Sequence, residues 1–344
     1  MAHLADRISQ VADEMPIALS MGEPAGIATE ISLKAWLALR ESAGSFFLMH
    51  DPDCVAAAAA ALRLPVPIQR IQHAREAAAI FPHALPIFPM RLVEPALPGL
   101  LNRRNAPAVI DSIRRGVEFV KSGEALALVT NPIQKAALYA AGFGFPGHTE
   151  FLEHLAGQPY RATMMLACAA LKVVPVTVHE SLQSAITSLT TERIVAVAFA
   201  TAKALTQDFG VVRPRLAIAG LNPHAGEGGA MGREEIDLIV PALKVLAAEG
   251  VLATGPWPPD TMFTARARLE YDAAICMYHD QALIPLKTLD VDGGVNVTLG
   301  LPFVRTSPDH GTAVNLAGRG LAEPGSLIAA LRLAREIAAQ RQKQ

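Results

Sequence analysis

At 344 residues, with 51% hydrophobic and 18% charged side chains, the chain has material for more than one ordinary core and the wrong balance for a disordered protein. A formal net charge of -2, a pI near 6.6 and no basic stripe exclude a nucleic-acid backbone as an expected partner. Cys54, Cys168 and Cys276 are odd in number and lack a CxxC pair, which fits a reducing, cytoplasmic compartment and argues against a thiolate zinc site. No uncharged apolar run reaches the ~18 residues of a membrane span, and the acidic N-terminus lacks the apolar centre of a secretory signal.

In chain order, residues 1–15 predict a short helical lead-in and residues 16–21 a first strand, followed by the turn Gly22-Glu23-Pro24-Ala25-Gly26 and a helix over about 29–39. A second strand, 45–49, ends at His50-Asp51, and an Ala-rich helix follows over about 54–62. Residues 65–105 are proline-rich and irregular, with short strands expected near 87–88 and 92–93. A helix over 107–121 leads to a strand at 125–129, and Thr130-Asn131-Pro132 is expected to cap a helix through Ala141. Lys135 would then stand in that helix's first turn, an unfavourable place for a cation unless an anion is near. Gly142 to Gly147 has the spacing GxGxxG, but it follows a helix and carries Pro146, so it is not read as a dinucleotide fingerprint. Gly147-His148-Thr149-Glu150 opens a helix through Leu155 whose positive end would suit an oxyanion; a capping threonine beside a solvated histidine accounts for it equally well.

The second half alternates strands and helices. A β-branched strand over 171–178 ends at His179-Glu180, helices fill roughly 182–207, and a strand over 216–220 runs into the glycine-rich turn that carries His224. A helix over about 234–248 and a rigid turn at 256–263 follow. A buried strand over 272–278 delivers His279-Asp280-Gln281, after which Lys287, Asn296 and Arg305 are expected on loops or element ends, and a helix over 326–340 closes the chain. His179, His224 and His279 thus each stand at or just beyond the carboxyl end of a predicted parallel strand. Parallel strands bring such positions to one edge, where imidazoles meet around a divalent ion with positions left open for substrate. Each histidine alone is more often a hydrogen-bonded structural residue; three together tip the balance towards metal. Glu180 and Asp280 would orient two of the rings as acceptors. Lysine as a point charge and arginine as a planar fork suit phosphate or carboxylate.

The segments MGEPAGI, TNPIQK with AGFGFPGHTEFL, LNPHAGEGG, GPWPPDT and MYHDQALIPLK through GGVNVTLGLPFVRTSPDHGTA resemble, together, the 4-hydroxythreonine-4-phosphate dehydrogenase family over about residues 16–330. The resemblance implies an α/β, isocitrate/isopropylmalate dehydrogenase-like fold of two domains with mostly parallel sheets, a cleft and a homodimeric assembly. The domains expected are 1–143 with 318–344, and 144–317. It implies that His179, His224 and His279 hold a divalent metal (zinc, magnesium or cobalt), the last from the neighbouring subunit, and that His148, Thr149, Lys287, Asn296 and Arg305 contact substrate. His310, Gly311, Thr312 and Ala313 resemble the loop that holds the adenine of NAD or NADP, although Glu323-Pro324 replaces the relatives' Asn-Pro.

The activity so implied is NAD-dependent oxidation of 4-phosphohydroxy-L-threonine in pyridoxal 5'-phosphate biosynthesis. The metal would acidify the alcohol, Lys287 or a metal-bound water would move its proton, Asp280 would support the ligand His279, and the 3-oxo product would lose carbon dioxide. Rival readings are a sister dehydrogenase acting on threonate or erythronate 4-phosphate or a terephthalate dihydrodiol, an acyl-phosphate transferase, and a binding protein without turnover.

Overall fold

The computed structural model describes residues 15–42, 44–145 and 147–344, so the expected lead-in and Pro146 lie outside the described residues. The chain divides into two compact units, 1–162 with 301–344, and 163–300. Both alternate strands and helices, the α/β class expected from the sequence.

In the first unit the strands are β1 (Ile17–Leu19), β2 (Phe46–His50), β3 (Ile68–Arg70), β4 (Leu85–Pro89), β5 (Leu128–Val129) and β12 (Arg305–Pro308), the last numbered by its place in the chain. They lie in the order β3-β4-β2-β1-β5-β12, all parallel. The helix Ala106–Lys121 shows why these sequences fold as they do: Pro107 sits at its start, and Ala106, Val109, Ile113 and Val117 return every three to four residues to one buried face. The strand expected near 92–93 does not form. The Leu92 amide is taken by Asp51 Oδ2 and those of Val93 and Glu94 by Asn105 Oδ1, so no ladder partner is needed there.

The expected domain boundaries also shift. The helix His148–Ala156 and the strand β12, both assigned from the sequence to the second domain, belong to the first unit. Phe151, Leu152 and Ala156 pack into its core, and Arg305 and Thr306 pair with Leu128 and Val129. Phe151 meets Phe143 edge-on at 5.1 Å and Phe145 at the same distance, contacts worth ~0.5–1.5 kcal/mol each beyond their buried area.

The second unit carries β6 (Thr163–Cys168), β7 (Leu171–Pro175), β8 (Arg215–Ala219), β9 (Leu252–Trp257), β10 (Ala273–Cys276) and β11 (Val295–Leu299), in the order β11-β6-β7-β10-β8-β9. β7, β10, β8 and β9 are parallel, as the histidine pattern required, whereas β11 and β6 join antiparallel. Lys287, in the last turn of the helix His279–Leu289, and Arg305, at the start of β12, stand at element ends as expected, whereas Asn296 lies within the strand β11. Among the described residues no helix is long and apolar enough to cross a membrane.

Candidate active site

In the second unit His179 follows β7, His224 follows β8, and His279 opens the helix after β10. The rings of His179 and His279 come together, with centroids 6.2 Å apart, on a cavity of about 370 Å³ that Thr177, Tyr278 and Asp280 also line. His279 Nδ1 lies 2.7 Å from Asp280 Oδ1. A carboxylate accepts there, so the proton sits on Nδ1 and the Nε2 lone pair is left for a cation. Two imidazoles sharing one ion at ~2.1 Å per bond have centroids about 5–6 Å apart, so this pair, at 6.2 Å, stands slightly wider than a shared ion would set it, with donors of the type a divalent metal takes. His224 is not among the residues lining this cavity, and among the described residues no group of three His, Cys, Asp or Glu side chains is gathered closely enough to enclose an ion. The Glu180 carboxylate accepts from Arg193 Nη2 at 3.2 Å and Ser188 Oγ at 2.8 Å.

His224 stands on unusual backbone. Residues 224–228 all have positive φ, from 43° to 80°. For the non-glycine members, His224, Ala225 and Glu227, the left-handed region costs ~1–2 kcal/mol per residue, so the surroundings must hold the turn in place. Two buried residues that sequence reasoning left without a role do so. Gln281 Nε2 donates to Gly220 O at 2.7 Å while its Oε1 accepts from Met277 N at 2.6 Å, tying the root of the His224 turn to the root of His279. Glu235 accepts both the Leu221 and Asn222 amides on Oε1, at 2.8 and 2.7 Å. Gln281 lay in the HDQ segment beside the candidate ligands, whereas nothing local marks Glu235 among the helix glutamates.

In the first unit the residues after β5 and at the start of β12 build a different environment. Arg305 is buried, and its Nε and Nη2 donate to Thr130 Oγ1 at 3.2 and 2.6 Å. Thr130 was expected to cap the next helix; that helix begins instead at Lys135, with Gln134 as its extended N-cap, because Thr130 is bound to Arg305 and Asn131 to Ser20 and Ser32. Lys135 does stand in the first turn, as expected. Its Nζ lies 3.5 Å from the point where a Cβ on Gly147 would be, at the start of the His148–Ala156 helix. Burial first, then Arg305 and Lys135, hold the His148 imidazole well below its usual pKa, so at neutral pH it is uncharged. Its Nε2 is buried without a hydrogen-bond partner, which an oxyanion or its proton would supply. Burial lowers the Arg305 pKa to about 9, which leaves the guanidinium charged at neutral pH. A guanidinium, a lysine, a neutral imidazole and a helix start carrying Thr149 are gathered here, features that favour an anion, together with Glu150, whose Oε2 comes within 3.4 Å of the same Gly147 point.

The loop His310–Ala313 is fixed against the first turn of the chain. Ile27 N donates to Thr312 O at 3.0 Å, and a Cβ on Gly26 would meet that oxygen at 2.6 Å, so glycine is required for the approach. Further along, Glu30 accepts from Ala322 N at 2.9 Å and Lys34 Nζ donates to Ala322 O at 2.6 Å, locking residues 320–322 onto the helix Ala28–Leu39. Beside this assembly lies a cavity of about 540 Å³ with Pro24, Gly26, Ala58, Leu62, Leu97 and Gly318 in its walls. Its size and apolar slot suit part of a dinucleotide. Glu323, where the resemblance breaks, is exposed and just past the locked segment.

Residues 43–334 match the family described as pyridoxal phosphate biosynthetic protein PdxA. The 4-hydroxythreonine-4-phosphate dehydrogenase of Caulobacter vibrioides is 50% identical over 331 residues, covering 95% of this chain and 98% of its own length. The crystal structure of the enzyme of that name from Klebsiella pneumoniae is 37% identical and superposes with a TM-score of 0.83 over 94% of this chain and 99% of its own. A terephthalate 1,2-cis-dihydrodiol dehydrogenase from Burkholderia xenovorans is more distant, at 27% identity and a TM-score of 0.61 over 94% of this chain and 98% of its own.

Proposed function

Because the chain belongs to the PdxA family of 4-hydroxythreonine-4-phosphate dehydrogenases, enzymes of pyridoxal phosphate biosynthesis, we propose that it oxidises the 3-hydroxyl of 4-phosphohydroxy-L-threonine with NAD or NADP. The product, 2-amino-3-oxo-4-phosphooxybutanoate, then decarboxylates to 3-amino-2-oxopropyl phosphate. The observation that carries this reading is the His179–His279 pair with Asp280 behind it, just past the ends of neighbouring parallel strands.

His179 and His279, with His224, are assigned to a divalent cation, zinc, magnesium or cobalt, which when bound supplies Lewis acidity to the alcohol oxygen. Asp280 keeps the His279 lone pair aimed outwards. Lys287, exposed in the last turn of its helix, takes the alcohol proton. Asn296, whose Oδ1 is buried without a partner, accepts from the substrate. Arg305, His148 and Thr149 bind its phosphate or carboxylate, and Arg305 excludes water from that end because its head group is already desolvated. The loop His310–Ala313 with its adjoining cavity holds the nicotinamide cofactor, which supplies the hydride acceptor.

A homodimer is part of the proposal: Leu182, Ile186 and Ile284, on the helices flanking the His179–His279 pair, are exposed apolar side chains of the kind an interface covers. That pair forms within one chain, whereas the resemblance implies that His279 reaches the metal from the neighbouring subunit, so the sharing of ligands rests on the resemblance and not on this pair.

The test is a comparison of kcat/KM for 4-phosphohydroxy-L-threonine, threonate 4-phosphate, erythronate 4-phosphate and a terephthalate dihydrodiol, each with NAD and NADP, following reduced nicotinamide by absorbance. The expected outcome is preference for the first, abolished by a chelator and restored by metal. Preference for another substrate, or activity indifferent to chelation, overturns the reading.

A further inference from the structure

The strained turn that carries His224 is wrapped around one carboxylate. Glu235 is 3% exposed, and besides the two amides on Oε1 its Oε2 accepts from Asn222 Nδ2 at 2.9 Å. The turn closes on this group so tightly that a Cβ on Gly226 would stand 2.5 Å from Oε2, and one on Gly220 would stand 3.3 Å from Oε1. Glu235 opens a π-helical turn, Glu235–Ile239, before the helix Val240–Ala248. The carbonyl of Leu238, within that irregular turn, accepts from Thr191 Oγ1 at 3.0 Å. Asn222 is held a second time by Glu234 Oε2 at 2.7 Å. A buried carboxylate that takes three donors from Leu221 and Asn222, separated from the left-handed run only by Pro223, is a template for that run, because these bonds fix where the chain must leave β8 and the carboxylate lies against Gly226.

We propose that Glu235 is a positioning residue for the metal site: it holds residues 224–228 in the left-handed conformation that presents His224, so that the imidazole is in place before an ion arrives. The inference rests on the assignment of His224 as a metal ligand. Glu235 itself touches neither metal nor substrate; it acts through the backbone, by removing the freedom the turn would otherwise regain as its non-glycine residues relax to negative φ.

The experiment is a Co(II) titration of the full-length metal-free protein, read by the visible d–d absorption of the bound ion and by calorimetry, for wild type, Glu235→Ala, Glu235→Gln, Glu235→Ala with Ala225→Gly, and Leu246→Ala. The last empties part of the packing of the fully buried Leu246 in the neighbouring helix and controls for general destabilisation. Wild type should bind Co(II), Glu235→Ala should bind at least tenfold more weakly with altered absorption, and Glu235→Gln should fall between because it keeps one acceptor oxygen. Ala225→Gly should recover part of the loss, since glycine adopts the required φ without strain. Leu246→Ala should lower Tm while leaving the affinity unchanged. If Glu235→Ala does not fold, Glu235→Gln alone decides. Binding by the Glu235 variants as tight as wild type overturns the positioning role and leaves the metal reading standing. Wild type that binds no Co(II) overturns the metal reading and this inference with it.

Discussion

His50 gives acid sensitivity a specific source. Its ring is fully buried at the end of β2, Nδ1 accepts from the Asp51 amide at 2.8 Å, and Nε2 donates to Thr29 Oγ1 at 3.1 Å, so every polar atom of the neutral form is satisfied. Burial drives its pKa down to about 4 from an unfolded value of 6.5, with Asp51 opposing. The folded pKa is depressed, so between those values the unfolded chain binds more protons. The contribution of His50 is therefore complete above pH 6.5 and is lost as pH falls through the window from 6.5 to about 4. Integrating the linkage from neutral pH down to about pH 4.5 gives a loss on the order of 2.5 kcal/mol from this one residue. Urea unfolding of wild type and His50→Gln across that range isolates the term, because every other titrating group is common to both proteins. The stability gap between them should shrink by about that amount as the solution is acidified. Parallel stability curves for the two proteins would refute the assignment.

Other expectations are more local. Arg305→Met should raise KM for the phosphorylated substrate by roughly 10- to 150-fold, the worth of one charge-assisted contact, and an unchanged KM would exclude Arg305 from the anion site. Asp280→Ala should weaken metal binding by about 10- to 100-fold while leaving Tm nearly intact, because the lost partner supports His279 from an exposed position; equal affinity by metal titration would count against it. Gly26→Ala should raise KM for the nicotinamide cofactor more than KM for substrate, since the added methyl collides with Thr312 O; steady-state kinetics in both substrates separate the two. Leu182→Asp with Ile284→Asp should yield a monomer by light scattering, and an unaltered mass would place the interface elsewhere.

The sequence by itself determined the alternation of buried strands and amphipathic helices, because period and turn residues are local properties: the helix expected over 107–121 spans 106–121, and the closing helix expected over 326–340 spans 325–341. It also determined that His179, His224 and His279 follow parallel strands, since hydrophobic runs and their endings are visible along the chain. The family resemblance could be read for the same reason: short glycine- and histidine-bearing segments keep their order whatever their spatial neighbours.

Tertiary structure decided what depends on partners remote in sequence. Thr130 had the composition of a helix cap, but Arg305, 175 residues away, takes its hydroxyl. The Glu180 carboxylate accepts from Arg193 and Ser188. The helix from His148 joined the first unit because Phe151 finds Phe143 and Phe145 there. Glu235 reads as one more surface glutamate until folding buries it behind a left-handed turn. A hydrogen bond or a ring contact lowers free energy only once the fold has brought its two partners to the same point, and one-dimensional spacing does not contain that distance.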